Sequence, residues 1–133
     1  MIYLLDTNAI SALMRADTRT ESWLSSVRLD DRVVICSITR GEILFGIGRL
    51  AQGRRRAELE AKAQNLFAAL PCEPILPSAG DFYARLKTTR QSHGRPLNEN
   101  DLWIAATALA INATLVSHDR DFQEIEGLAV VAP

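Results

Sequence analysis

The stretch MIYLLDTNAI, residues 1–10, decides how the chain is read. Ile2 to Leu5 form a short unbroken apolar run, the mark of a strand buried on both faces, as strands of a parallel sheet are when helices cover them. The run stops at an acid, Asp6, followed by Thr7, Asn8 and a second apolar stretch. Side-chain oxygens of all three polar residues can accept hydrogen bonds from the exposed donors of a helix's first turn, so a cap leading into AISALMRA (9–16) accounts for them. A carboxylate placed where a buried strand leaves the core also suits a polar site. The remainder of the chain bears on that choice.

Working outward, five apolar segments read as strands: IYLL (2–5), RVVICSI (32–38), EPIL (73–76), ATLVS (113–117) and LAVV (128–131). Helical periodicity marks AISALMRA (9–16), TRGEILFGIGRL (39–50), RRRAELEAKAQNLFAAL (54–70), AGDFYARLKTTRQS (79–92) and NDLWIAATALAI (100–111). Strand alternating with helix predicts an α/β domain, a mostly parallel sheet with helices on both faces. The segment LSSVRLDDR (24–32) reads as a polar turn into the second strand. There is no internal repeat or low-complexity tract.

The 133 residues, 47% of them apolar, suit a single domain spanning 1–133 with a proper core. No apolar run approaches the ~20 residues that span a bilayer, and the first residues lack a secretion signal, so the expected location is cytoplasmic. Cys36 and Cys72 have neither metal-site spacing nor neighbouring histidines and read as a buried apolar residue and an incidental one. The net charge of −1 disfavours a broad, non-specific nucleic-acid binder. All basic residues but Lys62 and Lys87 are arginine, whose planar fork suits phosphate and carboxylate partners, although genome composition also produces such a bias.

In a parallel α/β sheet, ligands bind outside the carboxyl ends of the strands, where the strand order reverses. Asp6 ends the first strand. Glu42 follows the second, and its spacing from Thr39 is that of a capping box. Asp101 falls in the first turn of the late helix, just after Asn98 and Asn100, where the helix dipole favours an acid by ~0.3–1 kcal/mol. Asp119, with Asp121 beyond it, follows the fourth strand and could be a turn residue. Each acid has a local explanation, but together they crowd one edge. Two carboxylates ~5 Å apart repel by roughly 3 kcal/mol at an effective dielectric near 20, more than a cap returns. The fitting compensator is a hard divalent cation, Mg2+ or Mn2+, held by carboxylate oxygens and water. Such an ion suits phosphoryl chemistry, because it activates water and neutralises charge on phosphate oxygens. Thr7 and Ser117, beside Asp6 and Asp119, are candidates for orienting that water, and His118 is read as a loop residue.

Four motifs, YLLDTNAIS (3–11), SITRGEILFG (37–46), NDLWIAATAL (100–109) and LVSHDRDF (115–122), together resemble PIN-domain ribonucleases, most closely the VapC toxins of bacterial toxin-antitoxin pairs. The likeness spans nearly the whole chain. It implies an α/β/α sandwich around about five mostly parallel strands. It also implies an acidic pocket of Asp6, Glu42, Asp101 and Asp119, with Asp6 and Asp101 as direct metal ligands and Glu42 supporting a water or a second ion. Asp119 matches the family's fourth acid, and Asp121 is the substitute. The implied activity is Mg2+- or Mn2+-dependent endonucleolytic cleavage of RNA by water, leaving a 5′ phosphate and a 3′ hydroxyl. The implied partners are RNA, a second copy of the chain and a VapB-like antitoxin whose carboxyl-terminal segment crosses the groove and presents an arginine to the acids.

Arg54, Arg55 and Arg56 open a helix whose dipole they oppose. Pairing of Arg54 and Arg56 with Glu58 and Glu60, four residues on, makes them a solvated surface, and an RNA or antitoxin contact is the other reading. The apolar faces of 43–50 and 67–70 are core or partner surface. A phosphatase of the haloacid-dehalogenase type needs an aspartate where Asn8 stands, and a phosphorelay receiver needs a late lysine beyond Lys87. A PIN-fold binding module without catalysis, acting through a protein partner, is the alternative from another class, and its mark would be loss of acids.

Overall fold

The computed structural model describes residues 1–133. Five strands, β1 (Ile2–Leu5), β2 (Arg32–Cys36), β3 (Cys72–Glu73), β4 (Thr114–Val116) and β5 (Val130–Val131), form one sheet in the order β3-β2-β1-β4-β5. Every pairing is parallel. The helices are α1 (Thr7–Met14), α2 (Thr18–Ser26), α3 (Ser37–Gly48), α4 (Arg54–Ala69), α5 (Pro77–Ser92), α6 (Glu99–Ala110) and the short α7 (Arg120–Gln123).

Alternation along the strands builds two cores. Leu4, Val34, Cys36 and Leu115 face one side, where they meet Leu102, Ile104 and Ala105 of α6 and Phe122 of α7. Leu5, Ile35 and Val116 face the other, against Ala9 and Ile10 of α1, Ile43 and Ile47 of α3 and Ala63 of α4. Helices therefore cover both faces of an all-parallel sheet, as the continuous apolar runs require.

Several boundaries differ from the sequence expectation. The third strand is Cys72–Glu73, not 73–76: Pro74 has no N–H to donate to a ladder, and Ile75 and Leu76 lead into α5, which starts with Pro77 in its first turn. The turn expected over 24–32 begins inside α2, whose amino end is capped by Asp17 accepting from Thr20 N at 3.0 Å. Only Trp23 of this polar helix is held by an aromatic contact, edge-on to Tyr3 at 5.3 Å. Cys36 is buried and Cys72 exposed, both free thiols. No helix is long and apolar enough to cross a membrane.

Candidate active site

The strand order runs outward from β1 in both directions, so the reversal lies between β1 and β4. Asp6 leaves the end of β1 there, and its N–H donates to Val116 O of β4 at 3.1 Å. The side chain caps α1, Oδ1 accepting from Ala9 N at 2.8 Å, so the capping reading of this carboxylate holds. Asp6 is 3% exposed. Burial raises its pKa, against hydrogen bonds from Ser117 and Ala9 that lower it, and the charge of Asp119 adds to the rise.

Glu42 is not in a capping box with Thr39. Helix α3 begins at Ser37, two residues before the expected start, so Glu42 lies in its second turn and Thr39 is buried facing Cys36. Glu42 Oε1 instead accepts from Thr7 Oγ1 at 2.6 Å, a bond from α3 to the first residue of α1. Thr7 thus gives its proton to a carboxylate, which leaves its oxygen lone pairs as what it can offer a water. Glu42 lies between two cavities. One of about 290 Å³ is lined by Thr7, Arg15, Ile43 and Arg55, the other, of about 300 Å³, by Ser37, Phe45 and Asn100.

Asp101 stands in the first turn of α6, clamped by Asn98, the true cap: Asn98 Oδ1 accepts from Asp101 N at 2.8 Å, and Asn98 Nδ2 donates to Asp101 Oδ2 at 2.9 Å. Its pKa is pushed up to about 6, first by burial, then by the charges of Asp119, Glu42 and Asp6. The neighbouring Glu99 is drawn away: Lys87 and Tyr83 hydrogen-bond it and hold its carboxyl low.

Asp119 follows β4 and caps α7, Oδ1 accepting from Asp121 N at 2.9 Å. Its own N–H donates to Ser117 Oγ at 3.0 Å, and the Ser117 hydroxyl in turn lowers the pKa of Asp6. Ser117 therefore links two acids. Asp121 and His118 are exposed.

Asp6, Glu42, Asp101 and Asp119 are thus brought to one edge, close enough for their charges to act on Asp101. No three of the histidine, cysteine or carboxylate side chains stand close enough to cage an ion by themselves.

The three arginines of α4 are not equivalent. Arg54 pairs with Glu58 at 3.2 Å, and Arg56 with Glu60 at 2.8 Å and Leu50 O at 3.1 Å. Arg55 has neither pairing and lines the cavity beside Glu42 and Thr7, together with Arg15. Successive helix positions point about 100° apart, so three arginines in a row cannot share one role. Arg15 was missed in the sequence because nothing in 9–16 marks its direction.

The family description "PIN domain" matches residues 3–128. Ribonuclease VapC1 of Haemophilus influenzae (strain R2866) is 36% identical over 133 residues, covering 96% of this chain and 95% of its own. Toxin FitB of Neisseria gonorrhoeae is 31% identical, covering 87% of this chain and 86% of its own. The structure of VapBC-1 from nontypeable Haemophilus influenzae superposes with a TM-score of 0.88 at 30% identity, covering 99% of this chain and 98% of that one. On the motif match, the sheet order and this likeness along its length, the chain belongs to the PIN-domain family, among the VapC ribonucleases.

Proposed function

We propose that this chain is the toxin of a toxin-antitoxin pair, an endoribonuclease that hydrolyses RNA phosphodiesters at the edge formed by Asp6, Glu42, Asp101 and Asp119, with a divalent cation, Mg2+ or Mn2+. The observation that carries the reading is the convergence of four acids from four separate elements at the reversal of the strand order. A fold with no ionic task there would lose stability to this repulsion for nothing.

Asp6 and Asp101 would hold the cation, with Glu42 and Asp119 completing its surroundings through water. When bound, the ion supplies charge to activate water and to neutralise the phosphate oxygens. The chain's own residues set the stage. Asn98 fixes the plane of the Asp101 carboxylate. Thr7 holds Glu42 by one oxygen, leaving Oε2 for a water proton. Ser117 spaces Asp6 from Asp119. Hydrolysis leaves a 5′ phosphate and a 3′ hydroxyl. A cognate antitoxin of the VapB type neutralises the enzyme by setting an arginine against the same acids, and Phe45, 68% exposed on α3, belongs to the surface available to that partner or a second copy.

The test is cleavage of RNA with Mg2+ or Mn2+, with and without chelator, by the wild type, Asp6→Asn and Asp101→Asn. The wild type cuts only without chelator, and both variants lose at least roughly 100-fold. Equal cutting by all three proteins would refute the site. A metal-supplied wild type that binds the antitoxin and cuts no RNA would favour the binding-module alternative.

A further inference from the structure

A second charged cluster lies outside the acidic site. At the carboxyl end of α5, Gly94 takes φ 68°, and its N–H donates to Gln91 O at 3.1 Å while Arg95 N donates to Arg90 O at 2.9 Å. This paired closure folds the chain back over the last helical turn, and only a residue tolerant of positive φ allows it. It brings Arg95 beside Arg90. Both guanidinium groups turn to one carboxylate, Glu124: Arg95 Nη1 at 2.8 Å and Arg90 Nη1 at 3.4 Å.

The charges do not balance. Arg90 is 8% exposed, its single ion-pair contact is long, and its buried Nε has no hydrogen-bond partner. That Nε is closed to solvent, so it is the Nη groups of Arg90, held by one long contact, that have donors to spare for a further acceptor. The cluster opens on a cavity of about 450 Å³ lined only by Arg90, His93, Arg95 and Glu124, with no apolar wall. Its position relates it to the acids through both flanking segments. Arg95 lies three residues before Asn98, the clamp of Asp101, and Glu124 ends the helix that Asp119 begins.

We propose that Arg90 and Arg95, with His93 at the rim, form a phosphate subsite that grips the RNA backbone beside the cleavage edge. It rests on the ribonuclease reading above. Guanidinium forks match phosphate oxygens, and Glu124 holds the forks in place until the backbone competes for them. Contact with phosphate contributes affinity without base preference.

The experiment measures binding of a fluorescent single-stranded RNA of mixed sequence, in chelator, as salt is varied. The proteins are the wild type, Arg95→Gln, Arg95→Glu, Glu124→Gln and Arg28→Gln, a control at an exposed arginine before β2. Arg95 is exposed, so its substitution leaves the fold intact, which melting verifies. Arg95→Gln weakens binding about fivefold at low salt and flattens the salt slope by about 0.7, the release expected for one single-strand contact. Arg95→Glu weakens it further, Glu124→Gln strengthens it and Arg28→Gln changes nothing. Cleavage of a 12-nucleotide RNA falls in Arg95→Gln while cleavage of a dinucleotide does not, a split that a merely structural ion pair would not produce. Unchanged affinity and slope in both Arg95 variants, with wild-type cleavage intact, overturns the subsite alone. If the same variants instead lose binding to a polyglutamate peptide, the surface takes protein carboxylates and the RNA assignment is overturned. A wild type that neither binds nor cuts RNA overturns the ribonuclease reading, and the subsite with it.

Discussion

At Asp101 the side chain is fixed by Asn98, partly buried and repelled by three other acids, so the residue that the proposed chemistry needs is one that the metal-free fold would be better without. The sign follows from linkage. With a folded pKa of about 6 against an ordinary value of 3.8, the folded state holds the proton more tightly. Stability from this group is therefore highest at low pH and falls as pH rises through about 6. Replacing Asp101 by Asn stabilises the chelator-treated protein at neutral pH by on the order of 1 kcal/mol, after allowance for solvent screening, and the gain shrinks as pH falls below about 6. Denaturation of both proteins at several pH values checks this; a variant less stable at neutral pH would contradict it. Thr7 acts through Glu42. Thr7→Val removes the donor and keeps the shape, costing about tenfold in cleavage, and Thr7→Ser restores it. The candidate acids were all legible as residue types, Asp6 and Asp119 just past strands and Glu42 and Asp101 near the starts of helices. Their bonds were not, because Glu42 and Thr7 meet across 35 positions of chain, a distance that no local spacing encodes.

Among the elements, α1 shows how one side chain serves two ends. Asp6 caps the helix and faces the site, and asparagine caps as well as aspartate does. Asp6→Asn thus loses cleavage with little change in melting, whereas Asp6→Ala loses cleavage and about 1 kcal/mol of stability. Equal melting losses in both would show that charge, not capping, holds the helix. The strongly patterned elements, β1, α4 and α6, were readable almost to the residue. Helix α2 was not, since its Thr, Arg, Glu and Ser positions carry no apolar stripe and its start depends on the Asp17 cap. The third strand was overread because EPIL is apolar, although Pro74 breaks the ladder. Arg55 was legible only as one of three, since its neighbours' pairings with Glu58 and Glu60 single it out.

For the whole molecule, the two cores pack the sheet from both sides, and the four candidate acids lie at the edge where its strands end and the helices that cover it begin. The sequence revealed this architecture because double burial writes continuous apolar runs, and parallel strands need the helices that separate them. It did not reveal how far apart the carboxylates rest, which depends on the angles at which α1, α3 and α6 meet the sheet. The central claim is that divalent cation relieves repulsion among these acids. Melting of the protein with and without Mg2+ or Mn2+ tests it most directly. The cation is expected to raise the Tm of the wild type at neutral pH, by an amount equivalent to about 1.4 kcal/mol at tenfold excess over Kd. That rise should shrink as pH falls toward 5 and vanish in the Asp6→Asn, Asp101→Asn double variant. An equal rise in the double variant, or none in the wild type, would contradict the account.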